Sequence, residues 1–168
     1  MPKSDQGLGI RRYSVVPRTL LFIFKGQEVL LIKGSEKKNI WSQKYNGLGG
    51  HVERGEDVFQ SAYRELAEES GQTNIDLRLC GTVMVDVETH CGVTLFVFCG
   101  EYAGEELSDS DEGILKWVPV SSIDQINIVE DLRVFIPWAY DWNPGDGIFS
   151  GLNYYDQSGA LKTKMFNE

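Results

Sequence analysis

The sequence predicts an α/β fold of three layers, a mixed β-sheet held between two helices, and three observations lead there. β-Branched and aromatic runs recur along the chain, punctuated by glycine, proline or asparagine. Two other segments carry apolar residues at helical spacing. The order of these elements, strand, helix, strands, helix, strands, suits helices packed on opposite faces of one sheet, although sequence does not fix the strand order. With 168 residues and 42% apolar content, the chain is expected to form a single domain over 1–168, with 1–12 as a flexible N-terminal segment. No repeat, low-complexity tract or Pro/Gly/Ser linker divides it.

Residues 18–24 and 28–33 flank Lys25-Gly26-Gln27 and read as a hairpin, followed by a loop through Trp41 and Tyr45. The first helix follows. Asp57 with Gln60 three residues later can cap its start, Phe59, Ala62 and Leu66 form an apolar stripe, and Gly71 ends it in the left-handed conformation. The helix is then about four turns long. Residues 77–89 and 93–102 read as two long strands joined near His90-Cys91-Gly92, and 112–118 as another. Pro119 marks a turn, 128–141 reads as the second helix despite Pro137, and 147–166 reads as a closing hairpin that turns over Asp156 to Gly159.

Function is concentrated in the first helix. Glu65, Glu68 and Glu69 stand at i, i+3 and i+4, so three carboxylates share one helix face. Like charges at this spacing repel, and a hard dication is the natural compensation: Mg²⁺ prefers oxygen ligands and is shared between carboxylates and substrate phosphates. An isolated Glu-Glu pair would read as a solvated face. Here the pair belongs to a longer pattern, G-x5-E-x7-R-E-L-x-E-E-x-G, formed by Gly50, Glu56, Arg64, Glu65, Leu66, Glu68, Glu69 and Gly71.

That pattern resembles the signature of the Nudix hydrolase family. One position departs from it: the family usually ends the motif with an aliphatic residue, and this chain has Gln72. The resemblance implies an α/β/α sandwich and a metal-assisted hydrolase acting on a nucleoside diphosphate linked to another moiety. It assigns Glu65, Glu68 and Glu69 as Mg²⁺ ligands, with Mn²⁺ as a substitute. The carbonyl of Gly49 is a further oxygen ligand, and Arg64 holds a glutamate in place. Outside the motif the chain is most similar to the branch hydrolysing oxidised purine nucleoside triphosphates such as 8-oxo-dGTP. On that likeness Thr19 contacts substrate and Asn46 reads the purine edge. Glu112 reaches the metal site from a distant loop, and Glu130 with Asp131 hydrogen-bonds the base. Lys33, Gly49, Gly50 and His51 complete the substrate-binding set, His51 standing where relatives often carry lysine.

Each assignment has an alternative in local chemistry. Asn46 before a glycine suits a tight turn, Glu112 belongs to an acidic loop, and Glu130 and Asp131 suit a helix start. Where some relatives place a tryptophan over the base this chain has Ile128, and where they carry two aspartates it has Glu130 and Asp131. A missing stacking surface of about 1–3 kcal/mol loosens base selectivity.

The formal net charge of −9 argues against a polymeric nucleic-acid partner, which would need many Lys and Arg phosphate contacts. A mononucleotide escapes that objection. Cys80, Cys91 and Cys99 are odd in number and lack zinc-like spacing, so buried free thiols and a reducing cytoplasm are expected. The N-terminal region lacks a signal-peptide core, and its longest apolar run, 20–24, is too short to span a bilayer, so a soluble protein is expected. His90 is expected to be exposed at a hairpin tip, and Trp41, Trp117, Trp138 and Trp142 to serve core or rim.

The expected chemistry is attack of water on phosphorus, releasing a nucleoside monophosphate and pyrophosphate, with one carboxylate of the coupled cluster taking the proton. Two alternatives stand beside it. One is a Nudix pyrophosphatase for ADP-ribose, a nucleotide sugar or a dinucleotide; the other is a non-catalytic nucleotide sensor.

Overall fold

The computed structural model describes residues 2–7, 12–34, 43–108 and 110–166. Eight strands form one sheet: β1 (Ser14–Lys25), β2 (Glu28–Gly34), β3 (Tyr45–Asn46), β4 (Arg78–Val85), β5 (Cys91–Glu101), β6 (Gly113–Pro119), β7 (Phe149–Tyr155) and β8 (Leu161–Phe166). Their order is β3-β2-β1-β5-β4-β7-β8, with β6 also paired to β2. β1 runs parallel to β5 from Ser14 opposite Cys91 to Phe24 opposite Glu101, and β4 runs parallel to β7. The remaining pairs are antiparallel, so the sheet is mixed.

Alternation along the strands divides the core. Leu21, Ile23, Leu30 and Phe98 point to one face, where they bury Ala62 and Leu66 of helix α1 (Val58–Ser70). Leu20, Phe22, Phe24, Leu31 and Val97 point to the other, against Leu132, Phe135 and Ile136 of helix α2 (Leu132–Asp141). Each fully buried Leu, Ile or Phe contributes about 1.5–3 kcal/mol, which makes this two-sided burial the dominant stabilisation. Three layers result. Among the described residues no helix is long and apolar enough to cross a membrane.

The strand–helix order is as expected, with corrections that have physical causes. The second helix begins at Leu132 rather than at 128, because 127–129 is extended and pairs with β3. The N–H of Tyr45 donates to Asn127 O at 2.8 Å, and that of Val129 to Tyr45 O at 3.0 Å. A 3₁₀ segment, Val120–Gln125, fills the space after Pro119. Pro137 lies inside α2 and is accommodated there. Phe59 is 43% exposed rather than part of the buried stripe, although its ring meets Phe98 edge-on at 5.0 Å. Cys80 and Cys99 are buried free thiols, whereas Cys91 is exposed at the start of β5. His90 is exposed; Trp117, Trp138 and Trp142 are half-buried. Trp41 and residues 1 and 8–11 lie outside the described residues, and within the expected flexible segment Lys3–Gln6 forms a 3₁₀ turn.

Gln72, the departure from the aliphatic pattern, is fully buried. Its Nε2 donates to the carbonyls of Glu105 (3.4 Å) and Glu106 (3.0 Å). The amide thereby ties the end of α1 to the loop before β6, a task an aliphatic residue cannot perform.

Candidate functional site

Helix α1 is fixed at both ends. Asp57 Oδ1 accepts from the N–H groups of Phe59 and Gln60, and Gln60 Oε1 accepts in return from Asp57 N–H at 2.9 Å. Gly71 closes the helix with φ 72°, its N–H bonded to Ala67 O. This reciprocal cap contributes about 1 kcal/mol and fixes where the helix face points.

On that face one guanidinium organises the glutamates. Arg64 Nε and Nη2 grip Glu56 at 3.1 and 2.7 Å, while Nη1 reaches Glu65 Oε1 at 2.7 Å and Glu68 Oε2 at 3.2 Å. Nη2 also donates to His51 O at 3.0 Å. The guanidinium, aided by the Glu53 N–H, holds the Glu56 carboxyl down at about 2, and the carboxylates push Arg64 upward in turn. Glu69 is buried and its Oε2 accepts from Gly49 N–H at 2.8 Å, whereas Glu68 is exposed.

Glycine is required in the segment after β3 that crosses this face. Gly49 has φ 122°, and a Cβ there would strike Thr19 O; a Cβ on Gly50 would strike Glu65 Oε1. Thr19 is buried and exchanges contacts with Gly50: its N–H donates to Gly50 O at 2.8 Å, and its Oγ1 accepts from Gly50 N–H at 3.4 Å. The helix carboxylates are thus pressed against bare backbone.

The donor set is all oxygen, which matches a hard dication and excludes a soft-metal centre. Among the described residues no three His, Cys, Asp or Glu groups close around a single point. Arg64 supplies the compensating charge here, engaging Glu65 and Glu68 through one oxygen each. Gly49 joins the cluster by its N–H to Glu69. Glu112 is exposed at the turn into β6, with its N–H on Ser110 Oγ at 3.3 Å. Its loop is tied to the end of α1 by Ser108 N–H to Ser70 O at 3.1 Å.

A second polar group gathers where β3 meets the segment entering α2. Asn46 Oδ1 accepts from Gly47 N–H at 2.9 Å, so its turn chemistry is real. Lys33 pairs across from Tyr45, with Nζ 6.0 Å from the ring centre. Glu130 is exposed, and Asp131 is turned inward. Asp131 Oδ2 accepts from Asn153 Nδ2 at 2.9 Å, and Asn153 Oδ1 accepts from Thr163 Oγ1 at 2.8 Å. Asp131 Oδ1 is buried with no hydrogen-bond partner, and burial raises its carboxyl above the usual range. Ile128 is buried in the core.

The structure therefore joins Arg64, Glu65, Glu68, Glu69, Gly49, Gly50, Thr19 and the His51 backbone in one hydrogen-bonded site. It gathers Lys33, Asn46, Glu130 and Asp131 around β3 and the start of α2. Sequence reasoning missed Asn153 and Arg18. Asn153 is fully buried within β7; an asparagine inside a β-rich run, between Leu152 and Tyr154, was the available signal.

Comparison with known proteins places the chain in a family. The sequence matches the family described as NUDIX domain over residues 15–139, and the chain belongs to that family of hydrolases. It is similar to the oxidized purine nucleoside triphosphate hydrolase of Danio rerio, with 35% identity over 107 residues, covering 62% of this chain and 67% of that one. It is similar also to the Mus musculus protein of the same description, with 28% identity over 120 residues, covering 71% and 76%. Among solved structures, the mutator MutT protein of Bacillus halodurans shares the fold at TM-score 0.73. That alignment covers 89% of this chain and 97% of the other at 18% identity. Nudix hydrolases act on nucleoside diphosphate-linked substrates and generally use divalent metal ions.

Proposed function

We propose that this chain hydrolyses purine nucleoside triphosphates, oxidised ones such as 8-oxo-dGTP among them, to the monophosphate and pyrophosphate. The observation that carries the reading is the Arg64-organised glutamate cluster on α1, and the acidic pair that follows the Tyr45–Ile128 bridge beside β3 supports a purine. The similarity to the two vertebrate hydrolases supports the choice of substrate.

In this reading Glu65, Glu68 and Glu69 would hold Mg²⁺, or Mn²⁺ in its place, with the Gly49 carbonyl and Glu112 as further oxygen donors. Such an ion supplies charge stabilisation at the phosphoryl oxygens and makes water more acidic. The chain's own residues do the rest. Arg64 fixes the orientation of Glu65 and Glu68 and is itself anchored by Glu56. A carboxylate of the cluster takes the proton as water attacks phosphorus and the bond to pyrophosphate breaks. Thr19 and Gly50 keep the strand close to the helix, and Lys33 and His51 face the phosphates. Asn46, Glu130 and Asp131 hydrogen-bond the purine. We read 1–168 as one domain and place it in a reducing compartment on account of its buried thiols.

The test is pyrophosphate and orthophosphate release, with Mg²⁺, from 8-oxo-dGTP, dGTP, other triphosphates, ADP-ribose and a nucleotide sugar. The expected result is highest kcat/KM for an oxidised purine triphosphate. Preference for ADP-ribose or the nucleotide sugar would overturn the base-reading assignment and retain the metal chemistry.

A further inference from the structure

The glutamate cluster and the His51 carbonyl engage Arg64, yet Arg18 carries a second guanidinium that no carboxylate balances among the described residues. Its Nε donates to His51 Nε2 at 3.1 Å, and no carboxylate lies within ion-pair distance of it among the described residues. His51 Nε2 accepts this bond, so the imidazole is held against the Arg18 side chain. Among the described residues neither Nη group of Arg18 has a hydrogen-bond partner, so both stay open to a ligand.

The backbone defines where this pair stands. Arg18 and His51 face one another across an antiparallel bridge, bracketed by Thr19 N–H to Gly50 O at 2.8 Å and Val52 N–H to Pro17 O at 3.1 Å. Thr19 and Gly50, next in line, lie on the α1 side, since Leu21 packs there and a Gly50 Cβ would strike Glu65. Alternation then puts Arg18 and His51 on the α2 side.

Across that side Arg18 pairs with Leu95, Leu95 with Val83 and Val83 with Gly151, whose row adjoins the one ending at Asn153. Asn153 in turn holds Asp131. Arg18 therefore lies one residue from the backbone that meets the glutamates. It is about 14 Å of sheet, three strand spacings, from Gly151 of β7, which stands two residues before the one that holds Asp131.

We propose that Arg18, oriented by His51, is a phosphate-binding residue that takes the polyphosphate between the nucleoside group and the glutamate cluster. The planar fork of a guanidinium suits bidentate contact with phosphate oxygens, and a chain of net charge −9 needs such a cation where an anionic ligand enters. This rests on the reading that phosphate lies at the glutamates, and it is independent of which base is bound.

The experiment compares the intact protein with Arg18→Ala and Arg18→Lys. It measures kcat and KM on whichever phosphoanhydride is turned over best, and inhibition by inorganic triphosphate. Arg18→Ala is expected to raise KM and the inhibition constant together by about 10- to 100-fold, with kcat changed by less than about threefold; Arg18→Lys recovers part of the loss. Unchanged KM and unchanged inhibition, or a fall confined to kcat, would overturn the proposal. If triphosphates are not substrates but ADP-ribose is, the substrate reading fails while the same comparison on ADP-ribose still decides the role of Arg18.

Discussion

At Arg64 one side chain spans Glu56, Glu65 and Glu68 and also reaches a backbone carbonyl, so the geometry of the carboxylates depends on a single planar cation. Glu56, with its carboxyl held at about 2, remains ionised through the working pH range. Its pKa is depressed on folding, so the stability it lends is present above the ordinary carboxylate range and is lost only as pH falls toward 2. Gly50 is the complementary constraint. Gly50→Ala pushes a methyl group against a carboxylate that Arg64 has already pinned, and it should lower kcat at least about tenfold while costing about 1–3 kcal/mol of stability. Unaltered kcat in a folded Gly50→Ala protein, measured by steady-state turnover, would remove the close approach from the account. At this scale the motif residues were legible because helical spacing places them. Asn153 and Arg18 were not, because their partners come from 22 and 33 residues away in sequence, Asp131 by docking of the α2 start on the sheet and His51 by a bridge to β1.

Helix α1 was legible almost to its ends, since Asp57, Gln60 and Gly71 act within one turn of themselves. The second helix was read four residues early. Acidic Glu130 and Asp131 look like a helix start, but hydrogen bonds to Tyr45 keep 127–129 extended, and only the fold reveals them. Asp131 also departs from ordinary capping: its side chain makes no cap bond and turns to Asn153. Because burial raises its pKa, the folded state holds the proton more tightly than the unfolded chain does. Stability should then decline as pH rises from about 4 through the raised value. Asp131→Asn should flatten that slope in thermal melts across pH, with its relative gain largest at neutral pH and vanishing below about 4. A slope unchanged by Asp131→Asn would place the titrating group elsewhere.

For the whole molecule, the alternation of β1 sorts Leu21 and Ile23 to α1 and Leu20, Phe22 and Phe24 to α2, so the sheet itself separates the two layers. The three-layer class was legible from element order; the parallel pairing of β1 with β5 was not, because it joins strands about 75 residues apart and leaves no local mark. The central claim is that the glutamate face of α1 is the catalytic site. The most direct test is pyrophosphate release with Mg²⁺ from the intact protein and from Glu69→Gln, alongside circular dichroism of both. Glutamine keeps an acceptor for the Gly49 N–H, so the fold should persist. Native-like spectra are expected, with turnover reduced by at least about 100-fold. Near-normal turnover by a folded Glu69→Gln protein would contradict the central claim.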